Sequence, residues 1–221
     1  MIKIDWHKRW QENRIGFHQA ATNAYLKKYL NLFHLNAGDS IFLPLCGKAF
    51  DIIWLAQQGF QVIGIEISQI AIEAFFEEQQ LAFEIINQDR FKLYQAQNIK
   101  LLQGDFFDLN ESDLQQVKLV YDRASLIAIE AENRQNYSNH ISRISAGKTP
   151  MLLITLEYDQ NVMSGPPFSV PKKEIEQYYT ETYQIDYLES NEEINERPRW
   201  REMGLSSLME TAIHLTPKNN A

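Results

Sequence analysis

Apolar positions along this chain follow two rhythms. Over residues 5–33, Trp6, Trp10, Tyr25, Leu26, Tyr29, Leu30 and Phe33 stand at helical spacing, which predicts two helices broken around Gly16. Past residue 39 the pattern changes to short strand-like runs at 41–43, 62–65, 99–102, 119–121 and 151–158, the first two of the kind shown by strands buried on both faces. Helical stretches fall between them at 49–58, closed by Gly59, at 68–80 and at 131–144. Strand and helix in regular alternation predict an α/β fold, a doubly wound and mostly parallel sheet with helices on both faces.

Two segments break the pattern. After Pro171 opens one short helix, "YQIDYLES" and "LMETAIHL" follow as β-rich runs with no long helix between them, so they are expected to pair antiparallel. The polar stretch 81–98 has mixed periodicity and fits an inserted loop, a hairpin or a displaced helix equally well. No repeat, low-complexity tract or interdomain linker divides the chain. One domain over residues 1–221 is expected, with residues 1–35 as a helical cover within it.

Composition narrows the partners. The 221 residues are 44% hydrophobic, enough for one sizeable core, and carry a formal net charge of -8. That charge opposes encounter with phosphate backbones and anionic lipid, so neither nucleic acid nor membrane is an expected partner. One cysteine forms no internal disulfide, and no apolar run approaches the roughly 20 residues of a bilayer span. A cytoplasmic monomer acting on a small molecule is expected. The five histidines show no metal-ligand spacing, so no metal is expected.

Candidate chemistry gathers at the carboxyl ends of the strands, where such sheets bind ligands. Gly47 lies in the turn after the first strand, and Glu66 ends the second at close to the ~20-residue separation of a ribose-binding carboxylate. "PLCGK" holds one glycine and a proline, a poor pyrophosphate cradle, so a nucleoside without phosphate suits it better than a dinucleotide. Gly104-Asp105, past the third of these strands, adds a carboxylate at the same edge for an adenine amino group. A nucleoside with a positive centre points to S-adenosyl-L-methionine, with Trp6 and Trp10, four apart on one helix face, as a wall over the cofactor; core anchoring is the competing role for such a pair. Cys46 in the turn has no activating histidine nearby and reads as a small buried residue. At Asp122-Arg123 the two side chains point to opposite faces of an extended strand, so one of them faces the ligand crevice, and Arg123 is the favoured one.

These residues also carry a family resemblance. "WxxxWxxxxxGFHQ", "PLCGKAFD", "GIEIS", "YDRASLIAI" and "GPPFSVP", in this order, resemble the thiopurine S-methyltransferase family of class I S-adenosylmethionine-dependent methyltransferases over nearly the whole chain. The resemblance implies a Rossmann-like seven-stranded sheet with its last strand antiparallel, S-adenosyl-L-methionine as methyl donor and a sulfur nucleophile as acceptor. It implies that Trp6 and Trp10 cover the cofactor, that Leu45, Gly47 and Arg123 line it, that Glu66 holds the ribose, and that Asp105 and Phe106 flank the adenine. Phe17, Pro166 and Pro167 then contact the acceptor, with Arg123 and Arg199 catalytic; "ERPRWREMG" offers Arg197 and Arg201 as alternatives to Arg199.

The expected reaction is in-line transfer of a methyl group to an ionised aromatic or heterocyclic thiol, which needs alignment and a dry site more than a strong base. Three rivals remain: a methyltransferase for selenium or tellurium species or small toxic thiols, a noncatalytic cofactor-binding module, and a nicotinamide-dependent oxidoreductase. The missing pyrophosphate glycines disfavour the last.

Overall fold

A computed structural model describes residues 4–16 and 18–218. The chain divides into two compact units, Met1–Leu109 with 116–118, and Asn110–Gln115 with Leu119–Ala221.

The first unit opens with α1 (Trp6–Gln11), whose N-cap Asp5 accepts a hydrogen bond from the Lys8 backbone, and α2 (Ala24–Tyr29), capped by Asn23 and extended by a 3-10 turn. Then come β1 (Ser40–Leu43), α3 (Phe50–Gln57), β2 (Gln61–Glu66), α4 (Gln69–Glu78), β3 (Glu84–Asn87), β4 (Lys92–Ala96) and β5 (Ile99–Gln103). The parallel ladders β1–β2 and β2–β5 bury Ile41, Phe42, Val62, Ile65 and Leu101. The crossovers β1–α3–β2 and β2–α4–β5 advance in the same direction across the sheet, so right-handed connections put both helices on one face. Their buried residues, Ile52 and Leu55 from α3 with Ile72, Phe75 and Phe76 from α4, recur at three- and four-residue spacing.

Gly64 in β2 is required by close approach. A Cβ there would lie 2.7 Å from Cys46 Sγ and 2.8 Å from Leu101 Cδ2, which ties the strand to the turn after β1.

The second unit contains β6 (Val117–Arg123), which begins at its boundary, α5 (Ala131–Ile144), β7 (Met151–Glu157), α6 (Lys172–Tyr179), β8 (Tyr183–Glu192), α7 (Pro198–Glu202) and β9 (Met209–Pro217). β6 and β7 are parallel, and β9 runs antiparallel to both β7 and β8, as the absence of a long helix after residue 183 predicts.

The described residues therefore form a mixed α/β fold with parallel central strands, but with nine strands where seven are expected. The two additional strands, β3 and β4, make an antiparallel hairpin within the ambiguous stretch 81–98, and β4 pairs antiparallel with β5. All four residues of β3 are exposed, so neither face supplies the alternation that marks a half-buried strand.

Candidate methyl-transfer site

The turn after β1 is built by two residues with left-handed backbone, Leu45 at φ 43° and Gly47 at φ 52°. Only glycine takes that conformation without steric cost, so the partly buried Leu45 is held there by its surroundings. The Cys46 amide donates to Ile65 O at 2.9 Å and prolongs the β1–β2 ladder into the turn. The Gly47 amide donates to Glu66 Oε2 at 3.0 Å, while Glu66 Oε1 accepts from the Ser68 amide at 2.8 Å. Two amides of the turn are thus committed to the protein itself, and a phosphate would find them occupied.

Glu66 is buried, with 6% of its surface exposed, and burial pushes its carboxyl up to about 6 against the pull of the Ser68, Gly47 and Ile67 amides. Each carboxylate oxygen has capacity for a second donor, which leaves room for ribose hydroxyls. Cys46 is buried, and its thiol is raised well above the ordinary range by desolvation and by the nearby Glu66, which keeps it protonated. Lys48 reaches out of the turn to Glu78 Oε1 at 2.5 Å and ties it to the end of α4.

Trp10 packs over this turn, since a Cβ on Gly47 would meet its Cζ2 at 3.1 Å. Trp10 is itself buried, whereas Trp6 is partly exposed with the Arg9 guanidinium 5.6 Å from its ring centre. After β5, exposed Asp105 caps a 3-10 turn by accepting the Phe107 amide at 2.9 Å. Phe106 is buried, and the exposed Phe107 stands edge-on to it with ring centres 5.3 Å apart. A glycine whose missing Cβ admits an indole, a buried carboxylate beside it and a short aromatic turn fit the adenosyl part of S-adenosyl-L-methionine.

In the second unit, Asp122 is fully buried, accepting the Tyr137 hydroxyl at 2.8 Å and the Leu126 amide at 3.1 Å. Desolvation lifts its carboxyl to about 6, with the Tyr137 hydrogen bond and the donors of Leu126 and Ser125 opposing. Arg123, on the opposite face of β6, is partly exposed, and Ala124 then turns the chain at φ 65° into a 3-10 turn over Leu126–Ala128. Pro166 and Pro167 are partly exposed and follow two cis peptide bonds, Gly165–Pro166 and Pro166–Pro167. Tyr158 grips this loop: its hydroxyl donates to Pro167 O at 2.6 Å, and its amide donates to Ser169 Oγ at 3.0 Å. The same ring stands edge-on to Trp200 at 6.2 Å, which brings the helix bearing exposed Arg199 to the Pro166–Pro167 loop. Among the alternatives, Arg201 is engaged with Asn195 Oδ1 at 3.3 Å. Phe17 lies outside the described residues.

Sequence reasoning missed Tyr158, Tyr137 and the buried Arg134. Arg134 falls in the same stripe of α5 as buried Tyr137, Ile141 and Ile144, at offsets of three, seven and ten residues, and that register was its one available signal. Among the described residues no group of three His, Cys, Asp or Glu side chains is placed to hold a metal, and no helix is long and apolar enough to cross a membrane.

The family described as "Thiopurine S-methyltransferase (TPMT)" matches residues 1–218. A thiopurine S-methyltransferase of Pseudomonas aeruginosa (strain LESB58) is 43% identical over 210 residues, covering 95% of this chain and 96% of its own. One from Nitrosospira multiformis is 42% identical over 215 residues, covering 97% and 98%. Among solved structures, a SAM-dependent methyltransferase from Anabaena variabilis superposes with a TM-score of 0.62 at 16% identity, over 98% of this chain and 96% of its own, a likeness of fold. With the family matched from its first helix to its last strand, the chain belongs to the thiopurine S-methyltransferase family.

Proposed function

We propose that this protein transfers a methyl group from S-adenosyl-L-methionine to the sulfur of an aromatic or heterocyclic thiol. Membership of the family makes it an S-adenosylmethionine-dependent methyltransferase; the acceptor is our reading. The observation that carries it is the chain of contacts from Pro167 through Tyr158 to Trp200, which gathers prolines, aromatic rings and the helix of Arg199 around one loop. Flat apolar surfaces near a helix that bears an arginine suit a planar acceptor with a negative sulfur.

When bound, the cofactor supplies a methyl group on a positively charged sulfur. The residues of this chain do the rest. Glu66 accepts the ribose hydroxyls, Leu45 and Gly47 line the nucleoside, Asp105 and Phe106 flank the adenine, and Trp6 and Trp10 cover it. Arg123 and Arg199 hold the acceptor as its thiolate, and Arg123 also borders the cofactor. A guanidinium close to sulfur in a dry site favours the ionised form, so no strong base is needed for an acidic thiol. Phe17, Pro166 and Pro167 would fix the ring plane so that the acceptor sulfur faces the donor methyl group in line. The protein acts as one domain and a monomer in the cytoplasm, with residues 1–35 as cover.

A screen of acceptors with labelled methyl donor tests this. Catalytic efficiency is expected to be highest for aromatic thiols. Higher efficiency with selenite, tellurite or small aliphatic thiols would reassign the acceptor, and cofactor binding without transfer to any of them would leave a binding module.

A further inference from the structure

We infer that Arg134 is a positioning residue for the acceptor, a buried guanidinium that holds the Gly-Pro-Pro-Phe loop in register with the turn that follows Arg123. The inference rests on the proposed acceptor assignment of Arg123, Pro166 and Pro167. Arg134 is 1% exposed, the largest fully buried side chain among the described residues, and it lies on an amphipathic helix where an apolar residue would be expected. Its guanidinium touches three separate segments. Nε donates to Ile129 O at 3.0 Å, just past the 3-10 turn that follows Arg123. Nη1 donates to Glu174 Oε2 at 2.6 Å, in the first turn of α6, and the Tyr178 hydroxyl donates to the same oxygen at 3.0 Å. The guanidinium carbon lies 5.8 Å from the ring centre of Phe168, next to Pro167.

The loop and the turn are also joined directly, because the Phe168 amide donates to Ile127 O at 2.7 Å. Arg134 thus braces a joint whose two sides carry Pro166 and Pro167 on one strand of chain and Arg123 on the other. Packing alone does not account for it. A buried arginine paired with one carboxylate is often matched in stability by apolar residues of similar volume, and here Nη2 has no hydrogen-bond partner among the described residues, a cost an apolar side chain would avoid. What an apolar side chain lacks is the rigid fork that fixes the turn, the loop and α6 at once. Lysine would keep the charge without that geometry.

The test uses the full chain with Arg134→Met, Arg134→Lys and the milder Glu174→Gln. Two quantities are read: hydrogen exchange at the Phe168 amide, and KM for an aromatic thiol at saturating cofactor. Expected are a loss of Phe168 protection and a rise in acceptor KM of about tenfold each in Arg134→Met, less in Arg134→Lys and Glu174→Gln, with affinity for the demethylated cofactor unchanged. Unchanged Phe168 protection would overturn the inference, as would lost protection or stability with acceptor KM at the parent value, which would make Arg134 scaffold only. Should Arg134→Met fail to fold, Glu174→Gln decides by the same criteria. Failure of the acceptor assignment looks different: the parent enzyme itself methylates no thiol, and the inference falls with it even where Phe168 protection responds.

Discussion

Gly47 and Glu66 stand 19 residues apart in sequence, yet the amide of one and the carboxylate of the other meet at 3.0 Å and close the turn after β1 onto the end of β2. The contact predicts a pH dependence. Burial raises the Glu66 carboxyl from its ordinary 4.5 to about 6, so the folded state holds that proton more tightly than the unfolded chain. The sign follows: this contribution to stability is complete below about pH 4.5 and is lost as pH rises through about 6. Glu66→Gln removes the dependence, and its stability relative to the parent should improve across that window by about 2 kcal/mol. With the ribose role proposed for Glu66, which uses the ionised acceptor, affinity for the demethylated cofactor should rise over the same window in the parent alone. Denaturation and calorimetry across this range check both.

Gly47→Ala should be damaging in two ways. At φ 52° a side chain costs about 1–2 kcal/mol, and the new Cβ would press on Trp10 Cζ2 at 3.1 Å. Thermal unfolding should shift down, and hydrogen exchange near Trp10 should rise. With the cover role proposed for Trp10, bound cofactor product should restore protection there in the parent and less in the variant; equal protection with and without product would leave Trp10 as a core anchor only.

Tyr137→Phe deletes a donor to buried Asp122. The remaining donors stabilise the carboxylate less, so its proton affinity rises further above the already raised value of about 6. The expected loss is about 1–3 kcal/mol near neutral pH, and it should shrink as Asp122 takes up a proton at lower pH. Urea unfolding at two pH values measures it.

Arg123→Ala and Arg199→Ala should raise the pH needed for turnover, by about 1–3 units for weakly acidic thiols, with cofactor affinity spared in Arg199→Ala and lowered in Arg123→Ala. The measurement is kcat/KM against pH for acceptors of graded thiol pKa. Profiles that superimpose on the parent's would make both residues braces for the loop.

How much of this was legible depended on burial. Ile41–Leu43 and Val62–Ile65 are apolar runs that announce parallel strands, and the turn after the first follows from Gly47 and Pro44. The hairpin at 84–96 was open to three readings because Ile85 and Ile86, on opposite faces of β3, are both exposed and contribute no period. Helix α7 has five residues and buries none, so it has no apolar stripe to detect. Glu66 and Arg123 sit at strand ends, where topology itself marks a site. Tyr158 and Arg134 act through a backbone carbonyl and a distant carboxylate, contacts made only when remote segments meet.

The β3–β4 hairpin moves the sheet's aggregation hazard outward. Because β4 occupies the open side of β5, the first unit ends in a strand only four residues long, followed by the charges of Asp89, Arg90 and Lys92. Short edges with nearby charge are poor templates for a second chain. Trimming the hairpin would instead bare β5, the strand leading into the Asp105 turn, to pairing with a second chain. The hairpin is a guard strip, and exposed Ile85 and Ile86 are the positions where solubility can be tuned without disturbing the buried core.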